Sequence, residues 1–81
     1  MTDAVEDKVL AFIRELKPKH AKSIASDTDL IGSGILDSLA VLQLVSFLSK
    51  QFAVMLPARD VTPANLRSVA TIAKVVGARR Q

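Results

Sequence analysis

The residues best suited to carry chemistry stand together near the middle of the chain. Ser38 follows a glycine-containing segment, Gly32-Ser33-Gly34, and opens a run of helix-forming residues. The start of a helix has unpaired backbone N–H groups and a partial positive charge, so it favours an attached phosphate. The glycines let a second protein approach the hydroxyl closely. This arrangement predicts a serine that serves as the substrate of another enzyme.

Nothing in the sequence activates Ser38 as a nucleophile. The only histidine, His20, lies in a different segment, and a catalytic triad needs a base within hydrogen-bond reach. There is no cysteine, which excludes disulfides and thiolate metal sites. Asp27 and Asp29 lack the further acids of a calcium-binding loop and are interpreted as turn or cap residues. We therefore predict no catalytic residue, no metal site and no enzymatic activity.

Apolar residues at helical spacing predict two helices in the first two thirds of the chain. The first covers about 4–16 and stops before Pro18, because the residue preceding a proline is pushed out of the helical region. The second covers about 38–52, with Asp37 as its N-cap. Its predicted core face consists of Leu44, Val45, Leu48 and Phe52.

Two further helices are predicted after residue 60. Thr62-Pro63 is an N-cap followed by proline at the first helical position, which predicts a short helix at about 63–67. Ser68 caps a last helix at about 69–76, and Gly77 is its expected C-terminal stop. No stretch is a strand candidate of useful length. The predicted fold is all-α: a small four-helix bundle with three main helices and one short helix.

A long connection, 17–37, separates the first two helices. Connections of this length are uncommon in compact domains and are often functional. We expect three apolar residues to pin it onto the bundle: Leu30, Ile35 and Leu36. With 81 residues, the chain is predicted to form a single domain over 1–81.

The second helix has more apolar residues than one buried stripe requires. Leu39 and Leu42 point away from its core face. Two apolar faces on one helix indicate either a buried helix, with both leucines in the core, or a helix that docks a partner.

The basic charge balance raises a nucleic-acid-binding alternative. The net charge is +3, but the basic residues are split between two ends of the sequence and lack interleaved aromatic residues for stacking. We interpret them as a solvated surface and expect no nucleic-acid partner. No apolar run approaches the length of a membrane span and no signal peptide is visible, so a cytoplasmic location and no membrane contact are expected.

The residues around Ser38 resemble the attachment motif of the acyl carrier protein and peptidyl carrier protein family. The core match is Asp37-Ser38-Leu39, preceded by Gly34-Ile35-Leu36. The resemblance continues over nearly the whole chain, through these residues: Asp27, Asp29 and Leu30 in the loop, the core face of the second helix, Leu56-Pro57 after it, and Val69, Ile72 and Val76 in the last helix.

The resemblance implies an acyl-carrier-like fold and a carrier function. A phosphopantetheinyl transferase, with magnesium, would move a 4′-phosphopantetheine arm from coenzyme A to Ser38, and Asp37 would help to present the serine. The thiol of the arm would hold an acyl or aminoacyl group as a thioester. Partners would be an acyl- or aminoacyl-activating ligase and downstream synthase or transferase enzymes, contacting Leu39, Leu42, Gln43 and Ser46. A free-standing, monomeric carrier is expected.

One departure from the family bears on its partners. Many members have a strongly acidic second helix, whereas no acid occurs between Ser38 and Met55 in this sequence. We therefore expect docking through the apolar face, with weak electrostatic steering, which argues against generic fatty-acid synthesis. Fatty acyl, polyketide, amino-acid and D-alanyl cargo remain open. An alternative is an unmodified helical adaptor that binds a peptide or a partner helix through the same face.

Overall fold

The structure is a computed structural model that describes residues 4–79. Within this part of the chain it contains three α-helices and two short 3₁₀ helices and no strand, which confirms the all-α prediction. The elements in chain order are α1 (Ala4–Leu16), the 3₁₀ helix Pro18–Ser23, α2 (Ser38–Phe52), the 3₁₀ helix Ala58–Asp60 and α3 (Val69–Arg79). The predicted bounds of the first two α-helices match the observed ones.

The core forms where α1 packs against both α2 and α3. Val5, Val9 and Ile13 recur every four residues on one face of α1, and all three are buried. Each such side chain contributes about 1.5–3 kcal/mol when fully removed from water. The other two helices contribute Ala40, Leu44 and Leu48 from α2, and Val69, Ile72, Ala73 and Val76 from α3.

The predicted core face of α2 is confirmed in its centre. Leu44 and Leu48 have no exposed surface, while Val45 and Phe52 are half-buried at its margin. Ala40 completes the buried stripe one turn before Leu44, a position that sequence reasoning did not include because alanine carries little hydrophobic signal.

The short helix predicted at 63–67 is not present. Thr62 does cap one turn there: its hydroxyl accepts the Asn65 N–H at 3.2 Å and its carbonyl accepts the Leu66 N–H at 3.0 Å. The turn does not continue into a helix, and the Arg67 carbonyl after it accepts a hydrogen bond from Leu30 N at 2.6 Å, in the distant loop.

The last helix is longer than predicted and contains Gly77. Ser68 caps it as expected, since its hydroxyl accepts the Thr71 N–H at 3.2 Å. The expected stop at Gly77 is wrong, because α3 continues to Arg79. Glycine inside a helix costs about 1 kcal/mol. The ion pair between Arg79 and Asp60 stabilises the extra turn from outside the helix.

The connection at 17–37 is more ordered than a long loop. It contains the 3₁₀ helix Pro18–Ser23, which was not predicted. Its three predicted anchors, Leu30, Ile35 and Leu36, are buried, and Ile24 joins them. Two backbone hydrogen bonds attach it to the start of α3: Leu30 N to Arg67 O, and Ala70 N to Ser26 O at 2.9 Å. The segment ahead of α2 is therefore held in a defined position.

Candidate functional site

Asp37 and Ser38 form the start of α2. Asp37 has an extended backbone, φ −96° and ψ −176°, and its Oδ1 accepts the Ala40 N–H at 2.8 Å. The predicted N-cap is thus confirmed. Ser38 is the first residue of the helix, and its side chain is exposed. The hydroxyl is therefore displayed at the end of the helix that carries partial positive charge.

The segment before Asp37 anchors the start of α2 to the core. Ile35 and Leu36 are both buried, and the Leu36 N–H donates to Leu30 O at 2.9 Å. Because two apolar side chains immediately precede the Asp37-Ser38 pair, the serine is anchored to the core while its own side chain faces outward.

The two loop glycines are favoured for different reasons. Gly34 has φ +80°, a left-handed conformation that glycine adopts without a steric cost. Gly32 lies so close to the Asp29 carboxylate that a Cβ would collide with it. The same carboxylate accepts the Gly32 N–H at 2.8 Å, which confirms the predicted turn role of Asp29.

Lys17 contacts the site from the end of α1. Its Nζ lies 3.4 Å from Asp37 Oδ2, so the two carboxylate oxygens have different partners. The hydrogen bond from the Ala40 N–H lowers the pKa of Asp37, and the positive charge of Lys17 lowers it further. Sequence reasoning missed this contact because it joins residues that are 20 positions apart.

The outer face of α2 is apolar and exposed beside the serine. Leu39 is 66% exposed and Leu42 is 69% exposed. The alternative that these leucines are core residues is therefore wrong. Gln43 and Ser46 lie on the same exposed side. An open groove of about 600 Å³ adjoins Ser38, and it is lined by Leu36, Asp37, Ser38, Val41 and Leu42.

A second groove lies between α1 and α2. Its floor contains Phe12 and Phe47, whose rings stack with centroids 4.2 Å apart and planes 13° from parallel. It has a volume of about 450 Å³ and is lined mainly by Phe12, Leu16, Leu42, Ser46, Phe47 and Lys50. The lining comes from two separate helices, and no pattern within one segment reports how those helices are rotated against each other.

The residues that could suggest other chemistry lie outside α2. His20 is exposed in the 3₁₀ helix Pro18–Ser23. Over the described range 4–79, no cluster of acidic or histidine residues could hold a metal ion. Within the same range, no helix combines the length and apolarity needed to cross a bilayer.

Two comparisons with known proteins find matches. Residues 7–76 match the model of the family described as "Phosphopantetheine attachment site". A chain of the solved structure described as "Crystal structure of FAD-dependent dehydrogenase" has 30% sequence identity and a TM-score of 0.77. The match covers 84% of this chain and 97% of that chain. None of the curated proteins matches.

The family match spans most of the chain, and the structural match agrees with it in fold. Domains of this family are carriers to which 4′-phosphopantetheine is attached covalently, and they are typically non-catalytic. They interact with modifying and biosynthetic enzymes in general. This chain belongs to the phosphopantetheine attachment-site family.

Proposed function

We propose that Ser38 carries the 4′-phosphopantetheine arm and that the chain presents acyl or aminoacyl intermediates to biosynthetic enzymes. The observation that carries this proposal is the exposed hydroxyl at the first residue of α2, directly after the Asp37 cap. Ser38 is exposed, is the first residue of a helix and belongs to the Asp37-Ser38-Leu39 motif.

The residues around Ser38 suit a phosphodiester. The first turn of α2 has the partial positive charge that stabilises an anion. The nearest negative group, the Asp37 carboxylate, is engaged by the Ala40 N–H and by Lys17 Nζ. These contacts offset the repulsion that a bare carboxylate would exert on a neighbouring phosphate. When bound, the arm supplies a thiol that holds cargo as a thioester.

The serine acts as a substrate in this proposal. Within residues 4–79, no hydrogen bond joins its hydroxyl to a side chain that could serve as a base. A phosphopantetheinyl transferase must therefore supply the base and accept the hydroxyl proton. The Ser38 Oγ–phosphorus bond forms as the pyrophosphate bond of coenzyme A breaks, and 3′,5′-bisphosphoadenosine leaves. The chain contributes position and exposure.

The outer face of α2 is the proposed surface for partner enzymes. Leu39, Leu42, Gln43 and Ser46 are exposed on the side of α2 that begins at the serine, and neighbouring exposed apolar side chains are typical of an interaction surface. The partners are the transferase, an acyl- or aminoacyl-activating ligase and downstream synthase or transferase enzymes. Because this face lacks acidic residues, we propose that docking depends on apolar contact and shape more than on charge.

The test is intact mass after incubation with coenzyme A, magnesium and a promiscuous transferase. The expected result is addition of one phosphopantetheine to the natural chain and none to Ser38→Ala. Ser33→Ala is the matched control, because Ser33 is an exposed hydroxyl in the loop just ahead of α2. It should be modified like the natural chain.

The exposed leucines also support a second candidate, an unmodified helical adaptor. That function needs the outer face of α2 but not the hydroxyl. An unchanged mass, with a transferase shown to be active on another carrier, would favour the adaptor and exclude the carrier function.

A further inference from the structure

Lys17 is held at the end of α1, beside the proposed attachment site. Its N–H donates to Ile13 O at 2.9 Å, and its carbonyl accepts the His20 N–H at 2.9 Å. Its side chain is 29% exposed, and its Nζ lies 3.4 Å from Asp37 Oδ2. Because the backbone is bonded on both sides and most of the side chain is covered, the ammonium group is confined to the neighbourhood of Asp37.

The contact with Asp37 leaves the ammonium group with unused donors. The distance of 3.4 Å is longer than the roughly 2.7–2.9 Å of a tight hydrogen bond between charged groups. An ammonium group has three N–H donors, and within residues 4–79 the hydrogen bond of Lys17 Nζ is with Asp37. Lys17 can therefore bind a second anion without releasing Asp37.

The phosphate of an arm on Ser38 would be such a second anion. Ser38 follows Asp37 directly, and both residues line the open groove of about 600 Å³, so they border the same space. The one cation within α2 is Lys50, about 18 Å along the helix axis from Ser38. Among residues 4–79, Lys17 is the cation that contacts the Asp37-Ser38 pair.

We infer that Lys17 is a positioning residue for the arm: its ammonium group binds the phosphodiester on Ser38 and keeps Asp37 as its other partner. The inference rests on the proposed function, because only modification of Ser38 creates the second anion. A cation shared by two neighbouring anions lowers the repulsion between them. The first link of the arm is then held near the end of α1, and the thiol swings from a fixed origin.

This role of Lys17 has a consequence for the partner surface. No acid occurs between Ser38 and Met55, so an unpaired phosphodiester would add the first negative charge to this helix. With Lys17 bound to the phosphodiester, the surface beside the serine stays close to neutral after modification. Enzymes that dock through apolar contact would therefore meet similar surfaces on the unmodified and the modified chain.

The first test is the change in melting temperature on modification. The natural chain and Lys17→Gln are converted fully with coenzyme A and a transferase, checked by intact mass, and melted in both forms at low salt. The increment, modified minus unmodified, should be about 2–4 °C smaller for Lys17→Gln, the size expected of one surface ion pair in a domain of this length. Added salt should remove the difference.

Matched variants distinguish a contact with the arm from general charge or stability. Lys19→Gln removes an exposed cation two residues further on and should keep the natural increment. Lys17→Arg keeps a positive charge and donors suited to phosphate, so it should keep most of the increment. A merely structural role for Lys17 would lower the melting temperatures of both forms equally and leave the increment unchanged.

The second test locates the arm by NMR. The geminal methyl groups of phosphopantetheine adjoin the methylene that bears its phosphate. In the modified natural chain, these methyl groups should show cross-relaxation with the ε-methylene protons of Lys17. The ³¹P resonance should move in Lys17→Gln and stay in place in Lys19→Gln.

The outcomes separate the inference from the function beneath it. Failure of the natural chain to take up the arm at Ser38 would reject the carrier function. Complete modification with equal increments for the natural chain and Lys17→Gln, or without cross-relaxation to Lys17, would overturn the role of Lys17 alone. An equal loss of increment in Lys19→Gln would overturn the assignment to this particular lysine.

Discussion

The two faces of α2 show how one helix serves fold and function separately. Ala40, Leu44 and Leu48 on the inner face are buried in the core. Leu39 and Leu42 on the outer face have about two thirds of their surface exposed. Both faces are apolar in sequence, so composition alone does not distinguish them. Burial does: the inner leucines stabilise the native state, and the outer leucines are available to a second molecule.

The strongest test of this difference between the two faces is to truncate one leucine on each face. Leu44→Ala should lower the free energy of unfolding by about 3 kcal/mol, because it leaves a cavity in the core. Leu42→Ala, two residues earlier, should change it by less than about 0.5 kcal/mol. Urea unfolding measures both. Similar losses for the two variants would show that the outer face is buried in solution.

The next effect concerns the partner surface. Leu39→Ala should lower kcat/KM for modification by the transferase about tenfold, equivalent to about 1.4 kcal/mol of contact in the complex. Leu39 is chosen because it does not line the α1–α2 groove, and Ser49→Ala is the control. An unchanged kcat/KM for Leu39→Ala would remove this leucine from the docking surface.

The same assay addresses the charge of the outer face. Raising the salt concentration over the physiological range should change kcat/KM of the natural chain by less than about twofold, because screening affects only charged contacts. A steep fall with salt would contradict docking through apolar contact.

A smaller effect is expected at Asp37, the N-cap of α2. The pKa of Asp37 lies below its ordinary value of 3.8, so the folded state binds its proton more weakly than the unfolded state. The charged form therefore adds stability above pH 3.8, and this contribution is lost as the pH falls through the lowered pKa. An asparagine in place of Asp37 would keep an N-cap oxygen but no charge.

The measurement is the melting temperature of the natural chain and of Asp37→Asn across pH. The natural chain should melt higher at pH 7, and the two should converge at pH 2. A constant gap over the whole range would show that the carboxylate charge is not responsible.

The smallest effect belongs to Lys17. Its contact with Asp37 is at the surface, and exposed ion pairs of this kind contribute little. Lys17→Gln should lower the melting temperature at low salt by less than Asp37→Asn does, and added salt should remove the difference. Lys19→Gln, an exposed neighbour, should have no effect. A larger loss than that of Asp37→Asn would indicate a further role for Lys17.

Local signals were enough to predict α1, α2 and the N-cap Asp37. Pro18 ends the first helix and Asp37 begins the second, and each acts through its own backbone geometry or side chain. The errors lie beside contacts with distant residues. The Arg67 carbonyl, at the end of the single turn near 63–67, accepts the Leu30 N–H, and Asp60 pairs with Arg79 beyond the expected stop at Gly77.

The same distinction applies to the candidate site. Ser38, its cap and the outward leucines follow from sequence spacing, because all lie within one helical turn or two. The Lys17–Asp37 contact and the stack of Phe12 on Phe47 join separate helices. No periodicity within one segment reports how two helices are rotated against each other, so those features needed coordinates.

The hydrogen bonds between the long connection and the start of α3 have a consequence for biosynthesis. Leu30 and Ser26 find their partners at Arg67 and Ala70, so the segment leading to the serine reaches its final shape only after α3 has been translated. Under the proposed function, a nascent chain that has emerged only as far as α2 would present the Ser38 hydroxyl on a segment without these two hydrogen bonds. Modification of a fully held serine would then follow the synthesis of α3.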